Sequence, residues 1–362
     1  MGEKKDIKNI IELIKKDAKK LSAKINIMEV CGTHTMAISR FGIRKLLPEN
    51  IRLISGPGCP VCVTPISEVD RAIELSERDD VIITTFGDMM KVPGTKFSLN
   101  KKRAEGRDIR IVYSPIDALD IARNNKNKKV IFIGIGFETT APLIAATVIQ
   151  ARKQKIKNFY VLPYFKVVIP PMIALLKDKD LNLNGFICPG HVSTIIGAKA
   201  YEPLTKQYKI PCVVVGFEPL DILTGIHMII SQIINNKPSV EIQYKRAVKY
   251  IGNLYAQKLI KKVFKKIDSN WRGIGLIPES GLTFVDAYKE FNASEKFKTD
   301  ISYSKEPVGC KCGDVLKGKV IPFDCQLFDK RCTPSNPVGA CMVSSEGTCA
   351  AYYKYERVGA KS

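Results

Sequence analysis

No run of apolar residues in this chain reaches the ~18 that a membrane span requires, and its opening residues, Met1-Gly-Glu-Lys-Lys-Asp6, carry no secretory h-region. The first apolar positions (Ile7, Ile10, Ile11, Leu13, Ile14) are interrupted at helical spacing by Lys and Asp. A soluble, cytoplasmic protein with no membrane partner is therefore expected. Negative charge is scarce: 36 Asp and Glu stand against 57 Lys and Arg, a formal balance of +21. That excess would point to nucleic acid if it were clustered, but the lysines lie scattered over helix faces such as Lys258–Lys266, as a solvated surface does. Only one Trp is present, and no aromatic-basic alternation offers a platform on which bases could stack. The charge reads instead as a bias toward acidic protein partners. A phosphate-binding loop is also missing, because Gly134-Ile-Gly136 is followed by no third glycine in place and no Gly-Lys-Ser/Thr triplet exists.

What the chain does have is a regular alternation of short apolar runs and amphipathic stretches, over 362 residues that are 45% apolar. Residues 5–22 read as an amphipathic helix. Candidate strands are 24–30, 51–55, 81–85, 110–113, 130–134, 159–162, 186–188 and 212–215, with helical patterns at 66–77, 116–124 and 141–153. This alternation is that of an α/β protein with parallel sheets covered on both faces. Two sets of strands resemble one another. Ser55-Gly-Pro-Gly-Cys-Pro-Val-Cys62 leads through a helix to a strand at Val81, and Phe186-Ile-Cys-Pro-Gly-His-Val-Ser193 leads likewise to a strand at Val213. Cys31-Gly-Thr-His-Thr35 and Gly136-Phe-Glu-Thr-Thr-Ala-Pro142 each follow a strand. We therefore expect two similar Rossmann-like domains, 24–122 and 123–225, facing a cleft. Long helical stretches follow at 226–235 and 239–266, and a Gly-, Pro- and Cys-rich tail begins near Pro307. Residues 226–362, with 1–23, form the expected third domain, in which a bound metal cluster replaces missing apolar burial.

Six of the eleven cysteines lie between Cys310 and Cys349. At such density in a non-secreted protein, thiolates hold metal or pass electrons more often than they serve as struts. The frame Cys310-x14-Cys325-x6-Cys332-x16-Cys349 has separations longer than zinc knuckles, apart from Cys310-Lys-Cys312. Four soft thiolates from separated loops suit a [4Fe–4S] cube, and a zinc site fits the same residue types. Cys312 and Cys341 remain as a possible redox pair. Cys59-Pro-Val-Cys62 has dithiol spacing close to a helix start, which favours the thiolate. Ser55 stands where a Cys-x3-Cys-x2-Cys box would place its first thiol, which disfavours radical chemistry. Cys31 is expected at the carboxyl edge of the first strand, where open α/β sheets bind ligands. His34 beside it is a donor or base candidate, with the hydroxyls of Thr33 and Thr35. Glu138 and His191 are placed similarly in the second domain. Cys188 and Cys212 read as buried small hydrophobes.

Taken together, Met28-Glu-Val-Cys-Gly-Thr-His-Thr35, Ser55–Cys62, Gly136–Pro142, Cys188–Ser193 and the tail Cys310–Tyr353 resemble the HypD family. This is the hydrogenase expression/formation family that helps assemble the Fe(CN)2CO group of [NiFe] hydrogenases. The resemblance spans nearly the whole chain and shows no departure at a cysteine. It implies that Cys31 holds the transient Fe(II) that carries CN and CO, shared with a HypC-type small chaperone, and that cyanide arrives from a HypE-type carrier. It also implies a [4Fe–4S] cluster on Cys310, Cys325, Cys332 and Cys349, and thiol pairs Cys59 with Cys62 and Cys312 with Cys341. The competing expectation is a free-standing, cluster-dependent thiol-disulfide oxidoreductase, for which Cys31 would be spare.

Overall fold

Runs rich in Val and Ile favour extended backbone, and the amphipathic stretches between them favour helix, so the chain lays down the two in turn. The structure, a computed structural model, describes residues 2–301 and 304–357. The first half contains α1 (Gly2–Ala18), β1 (Ile25–Glu29), α2 (Gly32–Arg40), β2 (Ile51–Ser55), α3 (Ile66–Ser76), β3 (Val81–Thr85), β4 (Ile109–Ile111), α4 (Pro115–Asn124), β5 (Lys129–Gly136), α5 (Ala141–Lys153) and β6 (Phe159–Lys166). Then come β7 (Leu183–Pro189), β8 (Cys212–Val215), α6 (Pro219–Ile234), β9 (Val240–Ile242), α7 (Leu254–Val263), β10 (Phe264–Trp271), β11 (Gly275–Phe284) and α8 (Thr348–Tyr355). Shorter helices occupy several connections. Helix starts follow the usual chemistry: Ser114 and Asp117 form a capping box ahead of α4, with Pro115 in its first turn.

The strands form two sheets. The first has the order β2-β1-β7-β8-β9 and is wholly parallel; the second has the order β10-β11-β6-β5-β3-β4, parallel from β6 to β4 with the β10–β11 hairpin antiparallel. An α/β architecture with two parallel-rich sheets is thus what the alternation foretold. Val130, Ile131, Phe132 and Ile133 of β5 are fully buried, as a strand covered on both faces must be. On the first sheet, Ile14 of α1 packs in one cluster with Ile222, Ile226 and Ile229 of α6. On the second, α4 and α5 pack over Phe132 and Val161. A third cluster runs from Met28 and Ile133 into the cysteine-rich segment, joining Cys59, Cys62, Cys312 and Cys341. Among the described residues no helix is long and apolar enough to cross a membrane.

The sheets do not follow the expected boundaries. Segment 24–122 splits after β2, because β3 and β4 join the second sheet, and segment 123–225 splits likewise, with β7 and β8 returning to the first. The paired repeat is corrected too: β2 and β7, which were matched across two domains, belong to one sheet. The likeness lies elsewhere, in strand order. The first and third strands of each sheet flank one another, with the second strand outside the first, in β2-β1-β7-β8 and in β4-β3-β5-β6. The third domain shrinks as well, since α1 and α6 cover the first sheet, β9 edges it, and the hairpin β10–β11 extends the second. The ends of that expected domain, Met1 and residues 358–362, lie outside the described residues. Residues 239–266 are not one helical stretch but β9, a turn region, α7 and the start of β10. Exposed Lys265 and Lys266 imitate a helix face there; they are the charged guard of an edge strand.

Candidate thiol and metal site

In the first sheet the chain leaves β1 toward β2 on one side and returns to β7 on the other. The carboxyl ends of β1 and β7 therefore bound a topological switch point, where open α/β sheets form a crevice. Cys31 and His191 follow these two ends. Cys31 caps α2 in extended conformation, and its N–H donates to Glu29 Oε2 at 3.2 Å. Thr35 Oγ1 donates to the other oxygen of Glu29 at 2.6 Å, so one fully buried carboxylate ties the strand end to the first turn of α2. Burial pushes the carboxyl of Glu29 up to about 7, against the hydrogen bonds from Thr35 and Ser55. Cys31 itself is only 8% exposed. Burial pushes its thiol up to about 12, the Glu346 carboxylate adds to this, and the N–H groups of His34 and Thr33 oppose it. Cys31 does lie past the carboxyl edge of the first strand, as expected from position, but as a covered thiol. Desolvation outweighs the helix terminus.

His34 is fully buried, with Nε2 2.9 Å from the Gly216 carbonyl and 3.2 Å from that of Val215. Two carbonyl acceptors place the proton on Nε2, and Nδ1 is left buried without a partner. Burial holds His34 down to about 4, so it is neutral at ordinary pH. Phe217 lies between the two imidazoles of this region, 4.7 Å from the ring of His34 and stacked on His191 at 4.0 Å. Glu138 lies apart, just past β5. Its Oε1 accepts from Val168 N at 3.1 Å, its Oε2 is buried without a partner, and burial raises the carboxyl to about 7.

The Cys59 loop lies against Cys31. Gly32 N donates to Gly58 O at 3.1 Å, and a Cβ on Gly58 would fall 2.2 Å from Cys31 N, so only glycine permits the approach. Cys59 and Cys62 are joined as a disulfide across the one-turn helix Pro60–Val63. Cys62 Sγ in turn lies 4.0 Å from Ala340 O, the carbonyl preceding Cys341. Cys341 Sγ is 2.8 Å from Cys312 Sγ. Contacts with Cys310 and Cys341 hold the thiol of Cys312 well below its usual value, aided by the charge of Arg272, whereas those of Cys310 and Cys341 are raised.

All six cysteines of the tail, Cys310, Cys312, Cys325, Cys332, Cys341 and Cys349, line one small pocket. The rest of its lining is Lys311, Val315, Phe328, Gly339 and Met342. A Cβ on Gly339 would come 2.8 Å from Cys310 Sγ and 3.3 Å from Cys312 Cβ, so the wall is kept flat beside the sulfurs. Val338 N donates to Cys332 Sγ at 3.3 Å, a bond that favours a sulfur carrying negative charge. Soft donors, an apolar wall and an N–H aimed at sulfur fit an iron–sulfur cube. Among the described residues no three His, Cys, Asp or Glu side chains are already arranged around a single ion.

The structure brings Cys31, the Cys59–Cys62 loop and the six cysteines of the tail into one connected region, which the sequence reading had divided between its first and third domains. Sequence reasoning missed Glu29, Glu346 and Arg272. Glu29 stands two residues before Cys31 and Glu346 three before Cys349, a proximity that could have flagged them.

Fold and site define a two-sheet α/β protein with a thiol centre. The HypD family, described as "Hydrogenase formation hypA family", matches residues 5–356. A putative hydrogenase expression/formation protein of Methanocaldococcus jannaschii is 47% identical over 352 residues, covering 97% of this chain and 98% of the relative. The hydrogenase maturation factor HypD of Escherichia coli K12 is 44% identical over 356 residues, 97% and 95% of the two chains. That of Azotobacter vinelandii is 47% identical over 338 residues, 91% and 89%. This chain belongs to the HypD family.

Proposed function

We propose that this protein is the scaffold on which the Fe(CN)2CO group of [NiFe] hydrogenase is assembled, holding the iron with a HypC-type chaperone and taking cyanide from a HypE-type carrier. The observation that carries the reading is the unbroken sequence of contacts from Cys31, across Gly58 to Cys59–Cys62, across Ala340 to Cys341 and Cys312, and so to the six-thiol cavity. A simple oxidoreductase would have no use for Cys31 at its end.

Cys310, Cys325, Cys332 and Cys349 would hold a [4Fe–4S] cluster, which when bound supplies electrons one at a time. The chain's own thiols handle pairs. A thiolate at Cys312 or Cys341 attacks the Cys59–Cys62 disulfide, and resolution by its neighbour leaves Cys312–Cys341 oxidised and Cys59 and Cys62 as thiols. Those two thiols then meet a carrier thiocyanate: the S–CN bond breaks, the carrier leaves as a thiol, cyanide takes one proton, and Cys59–Cys62 closes again. Cys31 receives the iron as a substrate, since a soft thiolate suits low-spin Fe(II) and leaves positions open for diatomic ligands.

Isolating the complex anaerobically and recording Mössbauer and infrared spectra tests the scheme. Cys31→Ala should keep the cluster signal and lose the additional iron with its cyanide and carbonyl bands. Cys59→Ala should keep cluster absorbance and block cyanide transfer; unimpaired transfer would count against the dithiol step.

A further inference from the structure

Cys31 stands at the switch point of the first sheet, yet little solvent reaches it. A turn of the cysteine-rich segment, Ser344–Gly347, lies across the first turn of α2. Thr33 Oγ1 donates to Glu346 Oε1 at 2.7 Å. A Cβ on Gly32 would fall 2.4 Å from Glu346 Cβ and 2.6 Å from its carbonyl oxygen, so the two segments are in close contact. The Glu346 carboxylate lies near enough to act electrostatically on both Cys31 and His191. The turn has its own supports: Ser344 Oγ donates to Asp88 Oδ2 at 2.7 Å, and Glu346 N and Gly347 N donate to Ser344 Oγ at 3.3 Å and Ser344 O at 2.9 Å.

The carboxyl end of α8, the helix that follows this turn, is held differently. Arg44 Nη1 donates to Glu356 Oε1 at 2.5 Å, its guanidinium covers the Tyr352 ring at 4.8 Å, and both members of the ion pair are more than four-fifths buried. Helix α8 is thus anchored at its carboxyl end by a buried ion pair to Arg44, in the short helix Ile43–Leu46 that follows α2, and at its amino end by a hydroxyl–carboxylate hydrogen bond to Thr33 beside Cys31.

We propose that Glu346 is the latch of the Cys31 site. Closed on Thr33, it positions the Ser344–Gly347 turn over the thiol and shields it from solvent. Released, the turn moves aside about the Arg44–Glu356 anchor and admits a soft divalent cation together with a partner's thiolate. The identity of what enters rests on the function proposed above; the latch does not.

The test is peptide-resolved mass spectrometry of iodoacetamide labelling on the full chain, with no iron added. Thr33→Val leaves the carboxylate in place and removes only its hydrogen bond, so its labelling rate reports opening. A hydrogen bond to a charged group favours the closed form by about tenfold or more. Thr33→Val should therefore label at Cys31 about tenfold faster, Thr33→Ser should return to the wild-type rate, and Glu346→Ala should label at least as fast as Thr33→Val. Cys188 and Cys212, fully buried in the first sheet, report on general loosening. Labelling of Cys31 that does not rise in Thr33→Val and Glu346→Ala, or that rises only in step with Cys188, overturns the latch. Because the assay holds no iron, such a failure leaves the iron-binding reading untouched, and a wild-type protein that binds no iron leaves the latch untouched.

Discussion

The two sheets and the cysteine-rich segment are built on different principles. In the sheets, strands such as Val130–Gly136 of β5 and β8 are buried, and apolar burial adds to their backbone pairing in holding them in order. Between Cys310 and Cys349 the secondary structure is limited to short pieces such as Cys312–Leu316, Pro322–Asp324 and Ala340–Met342, and the centre of that region is a space ringed by sulfur. A few buried side chains, Val315, Leu316, Phe328 and Met342, surround it. On the function proposed above, such a region keeps its shape with little periodic pattern because its side chains converge on a ligand, and its stability then depends on that ligand.

The widest separation between the two principles should come from Cys332→Ala. Metal ligation to thiolates is folding free energy, on the order of 10 kcal/mol in small thiolate-held domains. We expect loss of cluster absorbance and rapid proteolysis within residues 305–357, with the circular dichroism of the sheets preserved. If the sheets melt with the tail, the two regions are one cooperative unit and the contrast fails. Next in size is Phe132→Ala, which empties a fully buried site in edge contact with Phe86 at 5.4 Å. It should cost about 3–5 kcal/mol in urea unfolding and leave the cluster's absorbance unchanged.

The smallest effect depends on pH. Glu138 has its carboxyl raised by burial from 4.5 to about 7, so the folded protein binds its proton more tightly than the unfolded chain does. Its contribution to stability is present in full below pH 4.5 and is lost as pH climbs through 7. Glu138→Gln removes that loss. The variant should match the wild type at pH 4 and exceed it at pH 8 by up to about 3 kcal/mol, read from paired denaturation curves. A gap that does not change with pH would mean that the carboxyl titrates alike in the folded and unfolded chain.

The strands were legible because a strand covered on both faces must be a run of Val, Ile and Phe, and 130–134 and 212–215 could be little else. Their partners were not. Sequence neighbours usually pair, which made 24–122 look like one sheet, whereas β1 takes β7 as its second neighbour through contacts that leave no local trace. The hairpin β10–β11 hid behind its edge lysines. At the site, the cysteines were legible from residue type and spacing. That Cys31 is covered was not, since its burial comes from segments distant in sequence, such as the Gly58 loop that packs against it.

The pairing of β1 with β7 also bears on how the protein is made. Asn26 N finds its acceptor on Asn184, 158 positions later. At ordinary translation speeds of about 5–20 residues per second, the first strand waits ~10–30 s on the ribosome before its neighbour emerges. During that interval Cys31 has no sheet to bury it, and the latch turn, farther still along the chain, has not been synthesised. The thiol that the finished fold buries is therefore exposed on the nascent chain until those later segments emerge.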